Sequence, residues 1–400
     1  MDWDFWGVFL SLSGMKFLEF TIWGAWAPVL ASRLLGPLKM TGKQLGWIYA
    51  TLPLACILAP MAAGQVVDRW VPTEIYMGVA HLVGALFLLG AAFSTRFWPL
   101  FFMMLGHCLC FGPTLAMVNS ITFSHLPDPQ VYYFWVRMWG AVSWVLIGWA
   151  LTFWRRSGKT PVRASDALIL AAICSLVMGL YSFTLPHTPP ANSGAVAMPF
   201  VKAMSLLQDS NFLIFLVISF VVTTQLQFYY LGTARLLEDI GTSHAAIPAA
   251  MSVAQIAQVV AMAAILPFIF TRLGFQWTLA MGTAFWLLLF LVYAKMKPRG
   301  LVIGSMALHG LAFAFFFDAA FIYIDAYLKQ VDKLDIRASA QSLYTVVTQG
   351  FGLFLGTQFT GIVMDRLRGA DGKFRWRPIF LVPCALLALC TLAFIVMFKG

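Results

Sequence analysis

Residues 131–154 read VYYFWVRMWGAVSWVLIGWALTFW, and Arg137 is the one charged residue among them. An apolar run of this length matches the roughly 30 Å of hydrocarbon that a transmembrane helix crosses. Ionisable and amide groups are costly in hydrocarbon, so they face a bundle interior or a water-filled cavity, paired with one another or with a ligand. This stretch therefore indicates a polar path through a membrane. Other apolar runs carry five further groups of this kind: Glu19, Gln227, Gln255, Gln258 and Asp318.

The composition of the 400 residues is that of a membrane protein. Hydrophobic residues make up 61% of the chain and charged residues only 10%, and apolar runs of about 20 residues recur from end to end. The six cysteines lie inside these runs without metal-ligand spacing, so we expect neither disulfides nor a metal site. We predict an all-α integral membrane protein without a cofactor.

Clusters of charge, proline and glycine divide the chain into twelve predicted membrane spans. The one long connection, from Pro186 to Gln208, has the composition of a flexible linker and divides the spans six and six. We predict an N-terminal six-helix half over 1–187, a cytoplasmic linker over 188–209 and a C-terminal six-helix half over 210–400. The predicted spans lie near 9–31, 44–67, 73–94, 97–124, 131–154, 166–185, 210–235, 245–270, 275–295, 300–328, 338–363 and 377–398.

Two six-helix halves joined by a central loop are the arrangement of the major facilitator superfamily, whose substrate site lies at the membrane midplane between the halves. After the second span, the string Gly64-Gln-Val-Val-Asp68-Arg69 resembles the cytosolic loop motif of that superfamily. The resemblance implies that Gly64 permits close approach of two helices. It also implies that Asp68 and Arg69 take part in a charge relay between helices.

Several strings together resemble one family of this superfamily, the nucleoside:proton symporters. They occur in the family's order and cover nearly the full length of the chain. The strings are Phe17–Trp26, Pro113–Thr122, Arg137–Gly140, Gln225–Tyr230, Met251–Ile256 and Ile336–Gln341.

The resemblance implies a transporter that exposes a central nucleoside site to each side of the cell membrane in turn, with Arg137, Gln227 and Gln255 touching the nucleoside. The chemistry agrees, because a nucleoside is uncharged and offers hydroxyls and base edges to amides, which both donate and accept hydrogen bonds. Aromatic faces can stack on the base. Further candidate contacts are Asn119, Trp144, Tyr230, Gln258 and Asp318.

Each of these residues also has a structural interpretation. Arg137 could pair with Glu19 or Asp318 and hold helices together. The glutamines and Asn119 could serve as hydrogen-bonding groups between helices. Trp144 could simply pack in the core. Both interpretations stay open for each residue, and for Arg137 they are compatible, because substrate binding can break an ion pair.

The chain departs from the family's pattern at two acids. Gln258 falls where better-known bacterial members carry the glutamate expected to link proton movement to transport, and Ala314 falls where they carry an aspartate. Neither side chain can titrate. Glu19 and Asp318 are therefore the proton-coupling candidates. Three hypotheses stay open: proton symport, uncoupled facilitation of nucleosides, and a transporter-like nucleoside receptor.

The remaining basic side chains give two further expectations. Lys16 is expected to extend its charged end toward the membrane interface. The six histidines are expected to be packing or interface residues, with His107 and His309 within spans and the others, including His81, near span ends. None shows ligand spacing.

Two arguments about the orientation of the chain in the membrane disagree. With both termini cytoplasmic, more lysine and arginine lies in the outer loops, where Arg155 and Arg156 are counted, than in the inner ones, so the positive-inside rule favours the reverse orientation. We nevertheless predict cytoplasmic termini, because the family resemblance carries orientation with it. We expect a monomer that spans the cell (inner) membrane several times.

Other classes of function find no support in the sequence. It contains no nucleophile elbow, His-Glu-xx-His string or phosphate-cradling glycine loop, so we predict that the protein is not an enzyme. The formal net charge of +10 is spread over loops and forms no basic stripe, so nucleic acid is not an expected partner. The expected partners are a nucleoside, protons and the lipid bilayer.

Overall fold

The computed structural model describes residues 5–127, 129–158, 165–190, 204–332, 340 and 343–399. Regular structure in these residues is helical, apart from one isolated bridge between Arg368 and Phe374. Helices suit a chain in lipid, because a helix satisfies its backbone hydrogen bonds within one segment. The all-α prediction is confirmed.

The chain forms two compact units, which are described separately. The first comprises Met1–Gly194 together with Ser243–Ser252. Its helices before the connecting segment are α1 (Phe5–Trp26), α2 (Leu30–Leu35), α3 (Gly42–Tyr49), α4 (Thr51–Arg69), α5 (Thr73–Phe93), α6 (Phe97–His125), α7 (Pro129–Arg156) and α8 (Asp166–Ser182).

The second unit comprises Ala195–Thr242 and Val253–Gly400. A short 3₁₀ helix, Met204–Gln208, precedes its first long helix, and three π-helical segments interrupt later ones at Ala261–Ile265, Ala314–Asp318 and Val346–Gly352. The α-helices from this point of the chain onward are α9 (Ser210–Asp239), α10 (Ile247–Val260), α11 (Leu266–Lys295), α12 (Arg299–Phe313), α13 (Ala319–Gln330), α14 (Leu353–Arg366) and α15 (Trp376–Val396).

Nine stretches of the described residues are long and apolar enough to cross a membrane. Helix α4 and the shorter apolar helices α8 and α10 occupy the three other predicted spans. Helix α11 contains a kink at Gly274, where the backbone is non-helical and φ is 69°. Glycine adopts a positive φ without steric cost. The kink divides two helical segments and lies at the predicted break between the eighth and ninth spans.

The same packing pattern recurs in the two units. In the first unit, α1 packs against α7 and α5 packs against α8, which pairs the first span with the fifth and the third with the sixth. In the second unit, α9 packs against α14 and α11 packs against α15, which are the corresponding pairs. Such repetition is typical of transporters built from two related six-helix repeats.

A buried ion pair closes one end of the first unit. Arg155 Nη2 donates to Asp166 Oδ1 over 3.1 Å, and Arg155 Nη1 donates to the His244 carbonyl oxygen over 3.0 Å. The Arg155 and Asp166 side chains are only 2% and 0% exposed. Counting Arg155 among the loop charges was therefore wrong. It lies in the last turn of α7, where its charge is neutralised inside the unit.

Candidate functional site

A polar cluster lies inside the first unit, between α1, α5 and α6. Glu19 of α1 is fully buried. One of its carboxyl oxygens, Oε1, lies 2.8 Å from Thr114 Oγ1 on α6, and the other, Oε2, lies 2.9 Å from His81 Nε2 on α5. Three residues earlier on α1, the buried Lys16 ammonium donates a hydrogen bond to Asn119 Oδ1 on α6. Glu19 Oε1 and Lys16 are hydrogen-bonded to α6, whereas Glu19 Oε2 and His81 Nε2 face each other without hydrogen-bond geometry. Groups that would be costly in lipid thus face one another inside the unit.

The positions predicted from the sequence for two residues of this cluster were wrong. Lys16 does not extend toward the interface, because it is 1% exposed. His81 does not lie near a span end, because it occupies the middle of α5 and is also 1% exposed. The spacing of Lys16 and Glu19 was an available signal, since residues three apart share one helix face. No sequence pattern joined His81 to them, because it lies on another helix.

Arg137 lies at a close crossing of α7 and α1. Its guanidinium carbon lies 5.3 Å from the centroid of the Phe20 ring, within the range of a cation–π contact. One turn later, a Cβ at Gly140 would lie 2.9 Å from Phe20, so the two helices approach closely there. Arg137 also lies within electrostatic reach of Lys16. Arg137 is half-buried.

Trp144, on the same helix, packs against α1. Its ring meets that of Trp23 edge to face at 5.6 Å between centroids. A Cβ at Gly24 would lie 3.0 Å from Trp144. These contacts agree with the packing interpretation of Trp144, and its contact with a nucleoside stays a prediction.

In the second unit, an amide and an acid meet across two segments. Gln258 Nε2 on α10 donates to Asp318 Oδ2 over 3.3 Å. Gln258 is 7% exposed, and Asp318 is half-buried at the end of the π-helical segment Ala314–Asp318. Single-turn π-helical segments often occur at functional sites. Ala314, where relatives of the predicted family carry an acid, is fully buried.

The other predicted residues of the second unit lie on α9 and α10. Gln227 is buried, and a Cβ at Gly356 of α14 would lie 2.6 Å from the Thr224 carbonyl oxygen and 3.0 Å from Gln227 Cγ. The Tyr230 ring meets His309 edge to face at 5.9 Å. Gln255 is half-buried. Gly356 therefore permits close approach of α14 to α9.

A glycine on α12 determines how closely that helix approaches the turn of α10 that carries Gln255 and Gln258. A Cβ at Gly310 of α12 would lie 1.8 Å from the Ala254 carbonyl oxygen and 2.6 Å from the Gln258 backbone nitrogen. Both are backbone atoms, so no side-chain movement can make room. Gly310 therefore sets the distance between α12 and α10.

Some predicted residues lie outside the described part of the chain. Helix α4 covers the string with Gly64, Asp68 and Arg69, but their side chains are not among those described, so the charge relay stays a prediction. Most of the string Ile336–Gln341 also falls outside. Among the described residues, no group of three or more histidines, cysteines and acids could hold a metal ion.

Helices that span a membrane, with polar groups buried between them, define a multi-pass membrane transporter. Comparison with known proteins identifies the class more closely. The sequence profile of the family described as "Nucleoside H+ symporter" matches residues 7–400. The chain belongs to the nucleoside H⁺ symporter family. It is therefore a transporter and not an enzyme, and the receptor and uncoupled alternatives are not favoured.

Individual relatives agree with this assignment. YegT of Escherichia coli (strain K12) is 30% identical over 97% of this chain and 93% of its own length. The xanthosine permease of the same organism is 29% identical over 93% of this chain and 91% of its own length. A crystal structure of a variant of the nucleoside transporter NupG covers 98% of this chain and all of its own, with a TM-score of 0.87 and 26% identity. A D-xylose-proton symporter, at 12% identity and a TM-score of 0.74, shares the fold.

The close approach at Gly310 gives a test of how the site is positioned. We expect Gly310→Ala to push α12 away from α10, because the new methyl group would overlap backbone atoms, at a cost of about 1–3 kcal/mol or more. The turn with Gln255 and Gln258 moves, and nucleoside uptake into proteoliposomes falls. Gly304→Ala is the matched control, because the space around a Cβ at Gly304 of the same helix is open to 4 Å. Equal uptake rates for the two variants would contradict this role.

Proposed function

We propose that this chain carries nucleosides and protons together across the cell membrane by alternating access of two six-helix halves, 1–187 and 210–400, joined by the linker 188–209. The observation that carries the proposal is the hydrogen bond from the Gln258 amide to the Asp318 carboxylate inside apolar helices. A polar pair in hydrocarbon is retained where it serves a substrate or ion path. Membership of the nucleoside H⁺ symporter family supplies the chemistry of that path.

The binding roles follow from what a nucleoside offers. We assign the amides Gln227, Gln255 and Gln258 to ribose hydroxyls and base edges, because an amide can both donate and accept hydrogen bonds. Arg137 supplies donors only, in a planar fork, and Asp318 supplies acceptors. Aromatic groups provide surface for the base. Tyr230, Trp144 and Asn119 complete the proposed set.

Proton coupling needs a group that titrates and is exposed in turn to each side of the membrane. Gln258 and Ala314 cannot titrate, which leaves Glu19 and Asp318 as the proposed carriers in this chain. We also propose that both termini are cytoplasmic, that the protein lies in the inner membrane of a bacterial cell and that it acts as a monomer. The family resemblance supports this orientation, although the loop charges favour the opposite one.

The binding roles predict a loss of affinity when an amide is removed. Replacing Gln227 or Gln255 by Ala leaves polar groups of the bound nucleoside without partners, at about 1 to 3 kcal/mol. The dissociation constant, measured with purified protein and labelled nucleoside, should rise about 5- to 150-fold. The matched control is Gln225→Ala. This amide lies two residues from Gln227, donates to Thr224 Oγ1 over 2.7 Å and is proposed to have no substrate role. Unchanged affinity in well-folded Gln227→Ala and Gln255→Ala would show that these amides only join helices.

The proton-coupled function predicts concentrative uptake. In proteoliposomes, an inward proton gradient of one pH unit corresponds to about 1.4 kcal/mol, so one proton per nucleoside supports about tenfold accumulation. We expect labelled nucleoside to accumulate with the gradient and to reach only equal concentrations without it. Saturable uptake that does not depend on the gradient would contradict proton coupling and indicate an uncoupled facilitator. The absence of uptake for every nucleoside tested would contradict nucleoside transport itself.

A further inference from the structure

The buried carboxyl group of Glu19 has partners that suit two protonation states. Thr114 Oγ1 lies 2.8 Å from Glu19 Oε1 and 2.6 Å from the Phe111 carbonyl oxygen. A hydroxyl has one hydrogen to donate, while a carbonyl oxygen can only accept. When Glu19 is ionised, Thr114 donates to it. When Glu19 is protonated, Glu19 can donate to Thr114, which then donates to Phe111. Both states are hydrogen-bonded without any change in position.

The second carboxyl oxygen faces another group that titrates. His81 Nε2 lies 2.9 Å from Glu19 Oε2, and both side chains are almost completely shielded from solvent, at 1% and 0% exposure. Histidine changes charge in the physiological pH range more readily than any other side chain. Its backbone is held from a third helix, because Ser175 Oγ on α8 donates to the His81 carbonyl oxygen over 2.8 Å. This bond holds the His81 backbone against α8, and the imidazole faces the Glu19 carboxyl group.

We propose that Glu19 and His81 together form the proton-binding site of this transporter, an inference that rests on the proposed proton-coupled function. The pair takes up one proton, and its net charge changes from −1 to 0. The proton binds between Glu19 Oε2 and His81 Nε2, which lie 2.9 Å apart, are buried and have no hydrogen-bond partner in the described structure. His81 thus joins Glu19 as the second member of the proton-binding site, which selects Glu19 over Asp318 as the carrier. Asp318, beside Gln258, keeps its proposed role as an acceptor for the nucleoside.

The charges around the pair link it to the substrate group Arg137. When the pair is negative, it offsets the charge of Lys16, which lies within electrostatic reach of both Glu19 and Arg137. When it is neutral, Lys16 loses that attraction, and the link from the pair to Arg137 runs through Lys16. The titratable and charged groups on the helices packed around the pair are Lys16 on α1, His107 and Cys110 on α6, Arg137 on α7 and Cys174 on α8.

The pair could instead serve only to hold α1 against α5. The two roles differ in what they predict for transport. A purely structural pair, once replaced by groups of similar size, lowers the amount or stability of protein and affects every mode of transport alike. A proton-binding pair, once made unable to titrate, abolishes accumulation against a gradient, while exchange of nucleoside at equal pH on both sides continues.

The test compares Glu19→Gln and His81→Gln with wild type in proteoliposomes. Two quantities are measured for each protein: nucleoside accumulation under an inward gradient of one pH unit, and counterflow exchange at symmetrical pH. We expect about tenfold accumulation in wild type, about equal concentrations in both variants, and counterflow within about twofold of wild type in all three. The dependence of counterflow on pH should also flatten in the variants, which a structural role would not produce.

The matched control is His107→Gln. His107 is a buried histidine of α6 that stacks on Phe111, and it takes no part in the ion pairs of the described residues. It should keep tenfold accumulation. If a single variant loses counterflow as well, the double variant Glu19→Gln with His81→Gln replaces it, because its two amides can hydrogen-bond to each other.

The outcomes separate the two proposals. Accumulation near tenfold in Glu19→Gln, His81→Gln or the double variant would overturn the proton-binding site and leave proton coupling intact. Equal concentrations in wild type itself, despite active counterflow, would overturn the proposed coupling. Loss of accumulation in His107→Gln to the same extent as in His81→Gln would overturn the specific role of the pair.

Discussion

Polar groups in hydrocarbon must find partners, and the helix contacts of this protein depend on that requirement. An isolated ionised side chain in lipid is strongly unfavourable, whereas a paired and hydrogen-bonded one is tolerated. Glu19 therefore ties α1 to α5 and α6 through His81 and Thr114, and Gln258 ties α10 to the π-helical segment that ends at Asp318. The groups proposed to act on substrate and protons thus also hold helices in place. This dual role explains how function and packing can coincide in an apolar bundle.

Glycines set the distances over which these pairs form. Gly140 lets α7 approach Phe20 beside Arg137, Gly310 lets α12 approach the turn that carries Gln258, and Gly356 lets α14 approach Gln227. Within a membrane, small residues at helix crossings allow backbones to approach closely, and van der Waals packing then stabilises the contact. These three proposed substrate groups therefore each lie beside a close crossing. A side chain at such a crossing has few positions available, which favours precise recognition.

The sequence predicted the spans and several polar groups, because both depend on local information. Length and hydropathy place the twelve spans, and Glu19 and Asp318 are visible as acids within them. The interaction partners of these groups were harder to predict from the sequence. Lys16 was expected at the interface because a long basic side chain usually reaches water, yet Asn119 on another helix accepts its hydrogen bond. The contact between His81 and Glu19 joins residues 62 positions apart, which helix periodicity cannot relate. The break between the eighth and ninth spans was predicted, and the non-helical backbone of Gly274 lies in it.

The central claim is that nucleoside and proton cross together although Gln258 and Ala314 replace acids of the family's pattern. Proteoliposomes that contain the wild-type protein and a trapped pH-sensitive dye test this claim directly, with equal pH on both sides and a potassium ionophore to balance charge. Addition of nucleoside outside should acidify the interior, in an amount proportional to the labelled nucleoside that enters. Protein-free vesicles should show no change. Nucleoside entry through the protein at constant internal pH would contradict the account.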